Sequence, residues 1–382
     1  MTSDRLVETL GESREAATQR VIERMRKYVE LESPSRSVGH IRALAGVISA
    51  DLRAAGADVE LVDAPEYGAH IVARMGGSER DHIVILSHMD TVHPVGTLAS
   101  QPFRVNSDRV EGPGTYDMKA GIAVAVEALL LMQRRGTRPQ RPVRFIITCD
   151  EEIGSHSGLP LIKEHATGAQ AVLVTEPCVA GGLAKTSRKG VLTYQMNVTG
   201  RAAHAGTHPQ NGVSAITELA HQIRAILALA DHAQGTTLNV GVITGGTASN
   251  VVAAHAFAEI DVRVTNAAET KRVHEALVSL QPHAPGARVE VEQTEKRPPL
   301  ERSPHVIALY ERVRAIAGEI GFDMQEGSSG GGSDGSFTAA LGIPTLDGLG
   351  PDGGGAHAAD EHVLVADLPL RLALFTRVLE SL

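Results

Sequence analysis

Short runs of consecutive apolar residues, separated by helical periods, constrain this chain most. HIVARM (70–75), HIVILSH (82–88), VRFIITC (143–149) and AVLVTE (171–176) have strand length. Several are apolar at consecutive positions, as strands covered on both faces must be. Between them, residues 15–30, 40–55 and 120–135 carry a helical pattern. Alternating strands and helices predict an α/β fold, a mostly parallel sheet in an α/β/α sandwich. Helical patterns at 303–320 and 366–381, with the buried-strand run IPTLDGL (343–349), return late and belong to the same domain.

Residues 190–298 follow another rhythm. Strand 191–200 precedes a helix expected to bury Val213, Ile216, Ala220, Ile223 and Leu227 on one stripe. Strands 237–244 and 256–264, a helix around 268–280 and a strand at 287–294 follow. That order, β-α-β-β-α-β, is the split βαβ of ferredoxin-like α+β domains. In the third strand Ala258, Ile260, Val262 and Val264 face one way, and Glu259, Asp261 and Arg263 the other. The chain therefore reads as one domain of residues 1–189 and 299–382 with a smaller domain, 190–298, inserted.

Composition narrows the function. Lys+Arg is 36 against Asp+Glu 45, a net charge of −9, which argues against a nucleic-acid binder. Aromatics are 3% with no Trp, so stacking platforms for bases are not expected. Cys149 and Cys178 make no disulfide framework. The greasiest stretch, Ala120 to Met132, is interrupted by Glu127 and is shorter than the ~20 residues of a membrane span. These features read as a reduced, soluble, cytoplasmic protein with no membrane partner.

Ionisable residues gather just after the expected strands, where open α/β sheets bind ligands. HIVILSH ends in His88-Met89-Asp90, and GPGTYDMKAG places Asp117 before a helix. VRFIITC runs into Asp150-Glu151-Glu152, AVLVTE ends in Glu176, and GGGAHAADE presents His357. Each alone has a bland explanation as an N-cap, a solvated charge or a loop histidine. Converging together, Asp90, Asp117, Glu151, Glu152 and Glu176 would repel one another without counter-ions. Two divalent cations, zinc first with cobalt or manganese as alternatives, suit these nitrogen and oxygen donors. If His88, Asp117 and Glu176 hold one ion and Asp117, Glu152 and His357 the other, Asp117 bridges. Such a pair polarises a carbonyl and lowers the pKa of a shared water. Glu151 is then placed as general base, and Asp90 to hold the second ring nitrogen of His88.

The motifs SHMDTVHP, GPGTYDMKAG, TCDEEIGS, VTEP, GRAAHAG, GGGSD and AHAADE together resemble, in order and spacing, the co-catalytic di-zinc exopeptidases. That family includes glutamate carboxypeptidase, acetylornithine deacetylase, succinyl-diaminopimelate desuccinylase and aminoacylase. SHMDTV, ASNVV and GGGSDGSFTAALGIP are most similar to the glutamate carboxypeptidase branch. The resemblance implies a catalytic domain with an inserted ferredoxin-like dimerisation or lid domain, homodimers, and closure over a peptide or N-acyl amino acid. It implies the same metal ligands, Glu151 as base, and a cis bond after Asp117. It also implies that His204 stabilises the oxyanion, often across a dimer interface, and that Asn250 and Arg263 hold the substrate's free carboxylate. Backbone N–H groups of the glycines at 330–332, Gly331 and Gly332 among them, would approach the same carboxylate. The segment AKTSRKG (184–190) departs from the glutamate-type pattern. Its Lys185, Arg188 and Lys189 fit either an acidic substrate or solvent.

Two rival readings are weaker. The windows 327–331 and 331–335 match G-x-S-x-G, but a serine hydrolase leaves Asp117, Glu151, Glu152 and Glu176 unexplained. A non-catalytic metal-binding relative would have no use for Glu151. The expected activity is hydrolysis of an amide next to a free carboxylate, glutamate-carboxypeptidase-like, with N-acyl-amino-acid deacylation as the alternative.

Overall fold

The computed structural model describes residues 2–77 and 81–382. The chain divides into two compact units. One runs to Ser187 and resumes over Arg302–Ser329 and Ser333–Leu382, and the other comprises Arg188–Glu301 with Gly330–Gly332.

The first unit is built on a six-stranded sheet. Its order is Asp58–Ala64, Gly68–Met75, Val143–Thr148, Ile83–His88, Ala171–Val174, Thr345–Leu346. The last four strands are joined by parallel ladders. Gly68–Met75, the HIVARM run, is antiparallel to both neighbours. Side chains alternate between two cores. Ile71, Ile85, Phe145, Ile147 and Leu173 pack with residues of the helices Arg14–Val29, Val38–Ala54, Ala120–Arg135 and Leu368–Ser381. Val72, Val84, Leu86, Ile146, Val172 and Val174 pack with Leu161, Ile162 and Ala166 of the helix Gly158–Ala166. Burial on both faces, at about 1.5–3 kcal/mol for each such side chain, explains the unbroken apolar runs. The four parallel strands end at one edge of the sheet, and the loops beyond them carry the acidic motifs.

The helix Ala120–Arg135 is buried nearly all round, Glu127 included. That carboxylate is held by Arg24 Nε at 3.0 Å and Arg134 Nη2 at 2.7 Å, so the charge that breaks the apolar run is paired inside. Among the described residues no helix is long and apolar enough to cross a membrane. Cys149 and Cys178 are free and buried.

The second unit is a four-stranded antiparallel sheet in the order Thr237–Gly245, His255–Val264, Gly190–Thr199, Arg288–Arg297. The helices Ala215–Leu227 and Ala267–Val278 complete the ferredoxin-like arrangement. Ala258, Ile260, Val262 and Val264 are all fully buried. The helical stripe expected from the sequence is corrected. Ile216 and Leu227 are exposed, and the buried face is Ala215, Glu218, Leu219, Gln222 and Ile226. Polar residues occupy that face because Glu218 accepts the backbone N–H groups of His283 and Ala284 and the amide of Gln222. A buried carboxylate with its acceptors filled outcompetes apolar side chains for the inner position.

Candidate metal centre

Each candidate ligand, and the proposed base Glu151, sits at or just beyond the end of a regular element. His88 is the last residue of Ile83–His88. Asp117 lies in the turn Thr115–Lys119 with non-helical φ −113° and ψ 95°, and its bond to Met118 is cis. Glu151 and Glu152 open the 3₁₀ turn after Val143–Thr148. Glu176 follows Ala171–Val174 by two residues. His357 adopts a left-handed φ of 63° in the glycine-rich loop.

These positions bring five side chains together as two trios sharing Asp117. His88 Nε2 lies 3.1 Å from Asp117 Oδ1 and 3.4 Å from Glu176 Oε1. His357 Nε2 lies 3.3 Å from Asp117 Oδ2 and 3.2 Å from Glu152 Oε2. One oxygen of Asp117 faces each trio. Two ligand atoms on a tetrahedral ion, each at about 2.0–2.1 Å, stand about 3.3 Å apart, so all four separations suit ions between the partners. Among the described residues, His88, Asp117 and Glu152, which span the two trios, offer ligand atoms all within 4.8 Å of one another. Glu152 Oε1 is buried with no hydrogen-bond partner among the described residues, an acceptor that a cation would satisfy. The donor set therefore fits divalent metal. The His88 side chain is 2% exposed and that of His357 52%, so the cluster opens on the His357 side.

The carboxylates and imidazoles of the cluster shift one another's titration. Burial works to lower the His88 pKa, but contacts with Asp117, Asp90 and Glu176 outweigh it and raise it well above the usual range. Hydrogen bonds to Asp117 and Glu152 push His357 up to about 10. Burial would raise Asp117, yet His357 and His88 hold it well below ordinary carboxylates. Glu152 is raised, chiefly by burial. The carboxylates thus favour positive charge at the cluster, which divalent cations would supply, and metal binding needs each imidazole neutral.

Asp90 lies beside the imidazole of His88. His88 Nδ1 is 3.0 Å from the Asp90 carbonyl and 3.5 Å from its carboxylate. With Nδ1–H donating to that carbonyl, Nε2 presents its lone pair to the trio. The fully buried Asp90 carboxylate also accepts the N–H of Glu151 at 3.1 Å, the N–H of Glu152 at 3.2 Å and the Ser35 hydroxyl at 2.7 Å. It fixes the turn that presents both glutamates.

In the second unit, His204 is exposed and its Nδ1 accepts from the N–H groups of Gly206 and Thr207, both at 3.1 Å. The ring proton is then on Nε2, a donor facing outward. Asn250 is beside it, its carbonyl accepting from Ala205 N–H at 2.9 Å. Arg263 is half-buried on the polar face, its fork closed on Asp261 at 2.9 and 2.8 Å. Register pairs Arg263 with Val191 and His255 with Thr199. The span from Val191 to Thr199 is about 26 Å of strand, so Arg263 lies at the sheet end remote from His204 and Asn250. Gly331 and Gly332 use their carbonyls, which accept from Arg188 Nη1 at 3.4 and 2.8 Å.

Neither Lys185 nor Arg188 is solvated, at 7% and 4% exposure. Ser333, in one of the G-x-S-x-G windows, is buried and donates to Asp347 Oδ2 at 2.5 Å rather than to an imidazole. One residue escaped the sequence reading: Glu361, buried beneath the Asp117 turn. Its only sequence signal is its place four residues after His357.

The comparisons with known proteins point to one family. The model of peptidase family M20/M25/M40 matches residues 84–381. Carboxypeptidase G2 from Pseudomonas sp. (strain RS-16) is 32% identical over 372 residues, 95% of this chain and 89% of that protein. A succinyl-diaminopimelate desuccinylase from Delftia acidovorans is 28% identical over 330 residues, 80% of this chain and 83% of its own length. In fold, the solved aminopeptidase PepT from Bacillus cereus matches with a TM-score of 0.77 at 24% identity, over 95% of this chain and 98% of its own.

Proposed function

This chain belongs to peptidase family M20/M25/M40 and is a metallohydrolase of the peptidase and amidohydrolase type, and from that premise we propose its reaction. It cleaves an amide bond adjacent to a free carboxylate, releasing a C-terminal amino acid such as glutamate from a peptide or N-acyl conjugate. The observation that carries this reading is the pair of trios sharing Asp117. His88, Asp117 and Glu176 would hold one divalent ion, and Asp117, Glu152 and His357 a second. Two such ions, zinc first with cobalt or manganese as alternatives, supply Lewis acidity toward the scissile carbonyl and lower the pKa of a water.

The chain's own residues do the rest. Glu151, on the turn fixed by Asp90, takes the proton from the attacking water and returns it to the leaving nitrogen. The outward Nε2–H of His204 stabilises the oxyanion. Arg263, with the Gly331–Gly332 turn, holds the substrate carboxylate, which exchanges with Asp261 on the guanidinium fork, and Asn250, beside His204, reaches it from a second copy. Because one inserted unit keeps His204 and Arg263 at opposite ends of its sheet, the two serve one substrate when contributed by two copies. Exposed Ile216, Leu227, Val242 and Ile243, at 45–61%, support a homodimer through this unit.

N-acyl-amino-acid deacylation is the second reading, favoured by the likeness to the desuccinylase. One screen separates the two. Metal-stripped protein is resupplied with zinc, cobalt or manganese and offered folate-like glutamates, dipeptides and N-acetyl or N-succinyl amino acids. Metal-dependent release of a C-terminal glutamate supports the proposal, and preference for simple acyl groups favours the second reading. Turnover that survives chelation sinks both.

A further inference from the structure

The loop carrying His357 is the turn of a hairpin. Its strands pair Gly353 with Val363 and Gly354 with His362, and the second strand pairs in turn with Arg109–Glu111, which leads into the Asp117 turn. Glu361 lies at that junction, 2% exposed. Its Oε1 accepts the N–H of Tyr116 at 2.8 Å and of Asp117 at 2.9 Å. Its Oε2 accepts the N–H of Gly114 at 2.8 Å and His93 Nε2 at 2.6 Å. The Glu361 carbonyl takes Gly112 N–H at 3.2 Å. Gly114, at φ 73°, lets the loop curl around the carboxylate, where a Cβ would lie 2.6 Å from the Thr91 methyl.

Any buried carboxylate needs its acceptor positions filled, so what matters is where the four donors come from. Here it gathers them from two other segments: the loop bearing Asp117, and the loop after His88 that bears His93. We infer that Glu361 is a positioning residue that sets the bridging ligand Asp117 against His357 and so governs how tightly the ion between them is held. The inference rests on the metal reading above. It requires an acid, because glutamine offers one acceptor oxygen, and its NH₂ group would face two of the four donors. The amide of Asp117 itself is among the four, so a slipped carboxylate moves the ligand's own backbone. Glu176 lies outside this network, and His88 meets it at the far oxygen of Asp117, Oδ1, and through the loop carrying His93. The ion they share should therefore be the less affected.

The test is metal titration against a competing chelator, run on wild type first. Wild type is expected to take up two equivalents of zinc. In Glu361→Gln the weaker ion should lose about 10–100-fold in affinity, the usual scale for a residue that orients a ligand. KM at saturating zinc should stay near wild type. His93→Ala, which leaves Glu361 in place and removes one of four donors, should lose up to about 10-fold and covers the case where Glu361→Gln does not fold. If either folded variant is less stable without metal yet binds both ions as wild type does, the residue is a loop support alone and the inference is overturned. Wild type that binds no zinc overturns the metal reading itself, and this inference with it.

Discussion

The two units place chemically similar residues in opposite circumstances. In the first, His88, Asp117, Glu152 and Glu176 are mostly buried, and each lies about one ion's width from a partner in its own trio. In the second, His204 and Asn250 are exposed at one end of a sheet, and Arg263 is engaged with a neighbour at the other. A cluster of like charges must be assembled completely within one fold, because every missing partner leaves an unpaired buried group. Residues that meet only a substrate carry no such demand.

That contrast can be broken by experiment. Asp117→Ala removes an oxygen from each trio, so metal content should fall toward zero and hydrolysis to the detection limit, measured by elemental analysis beside a rate assay. A variant that kept both ions would mean Asp117 does not bridge. Glu151→Ala should lower kcat by about 10²–10⁴-fold with two ions still bound. Near-normal kcat would remove the general base from the scheme. His204→Ala should cost about 10²–10³-fold in kcat with metal content intact. Mixing it with Arg263→Ala chains should restore part of the activity in hybrid dimers, and no restoration would place both residues in one copy's service. The smallest change is expected from Arg263→Ala alone, a KM rise of about 10–100-fold from the lost charged hydrogen bonds. An unchanged KM would leave Arg263 as no more than the partner of Asp261.

Much of the first unit was legible because its signals are local. Both-face burial writes itself as consecutive apolar residues, and the strand-end rule then pointed to the loops bearing His88, Asp117, Glu152 and Glu176. The helix Ala215–Leu227 misled for an equally physical reason. Its inner face holds Glu218 and Gln222, whose partners at 281–284 no helical period can announce. Asp90 does lie beside the imidazole of His88, but the sequence did not announce that its carboxylate also takes two amides that the chain brings back some sixty residues later.

The sequence by itself determined the layer order, the insertion and the kinds of donor available, since each follows from periodicity or composition over a few neighbouring residues. Only the tertiary structure decided which oxygen of Asp117 faces which histidine, and that a carboxylate more than 240 positions away would grip its backbone. Those choices depend on separations of a few tenths of an ångström between segments remote along the chain, and such separations exist only once the strands have packed.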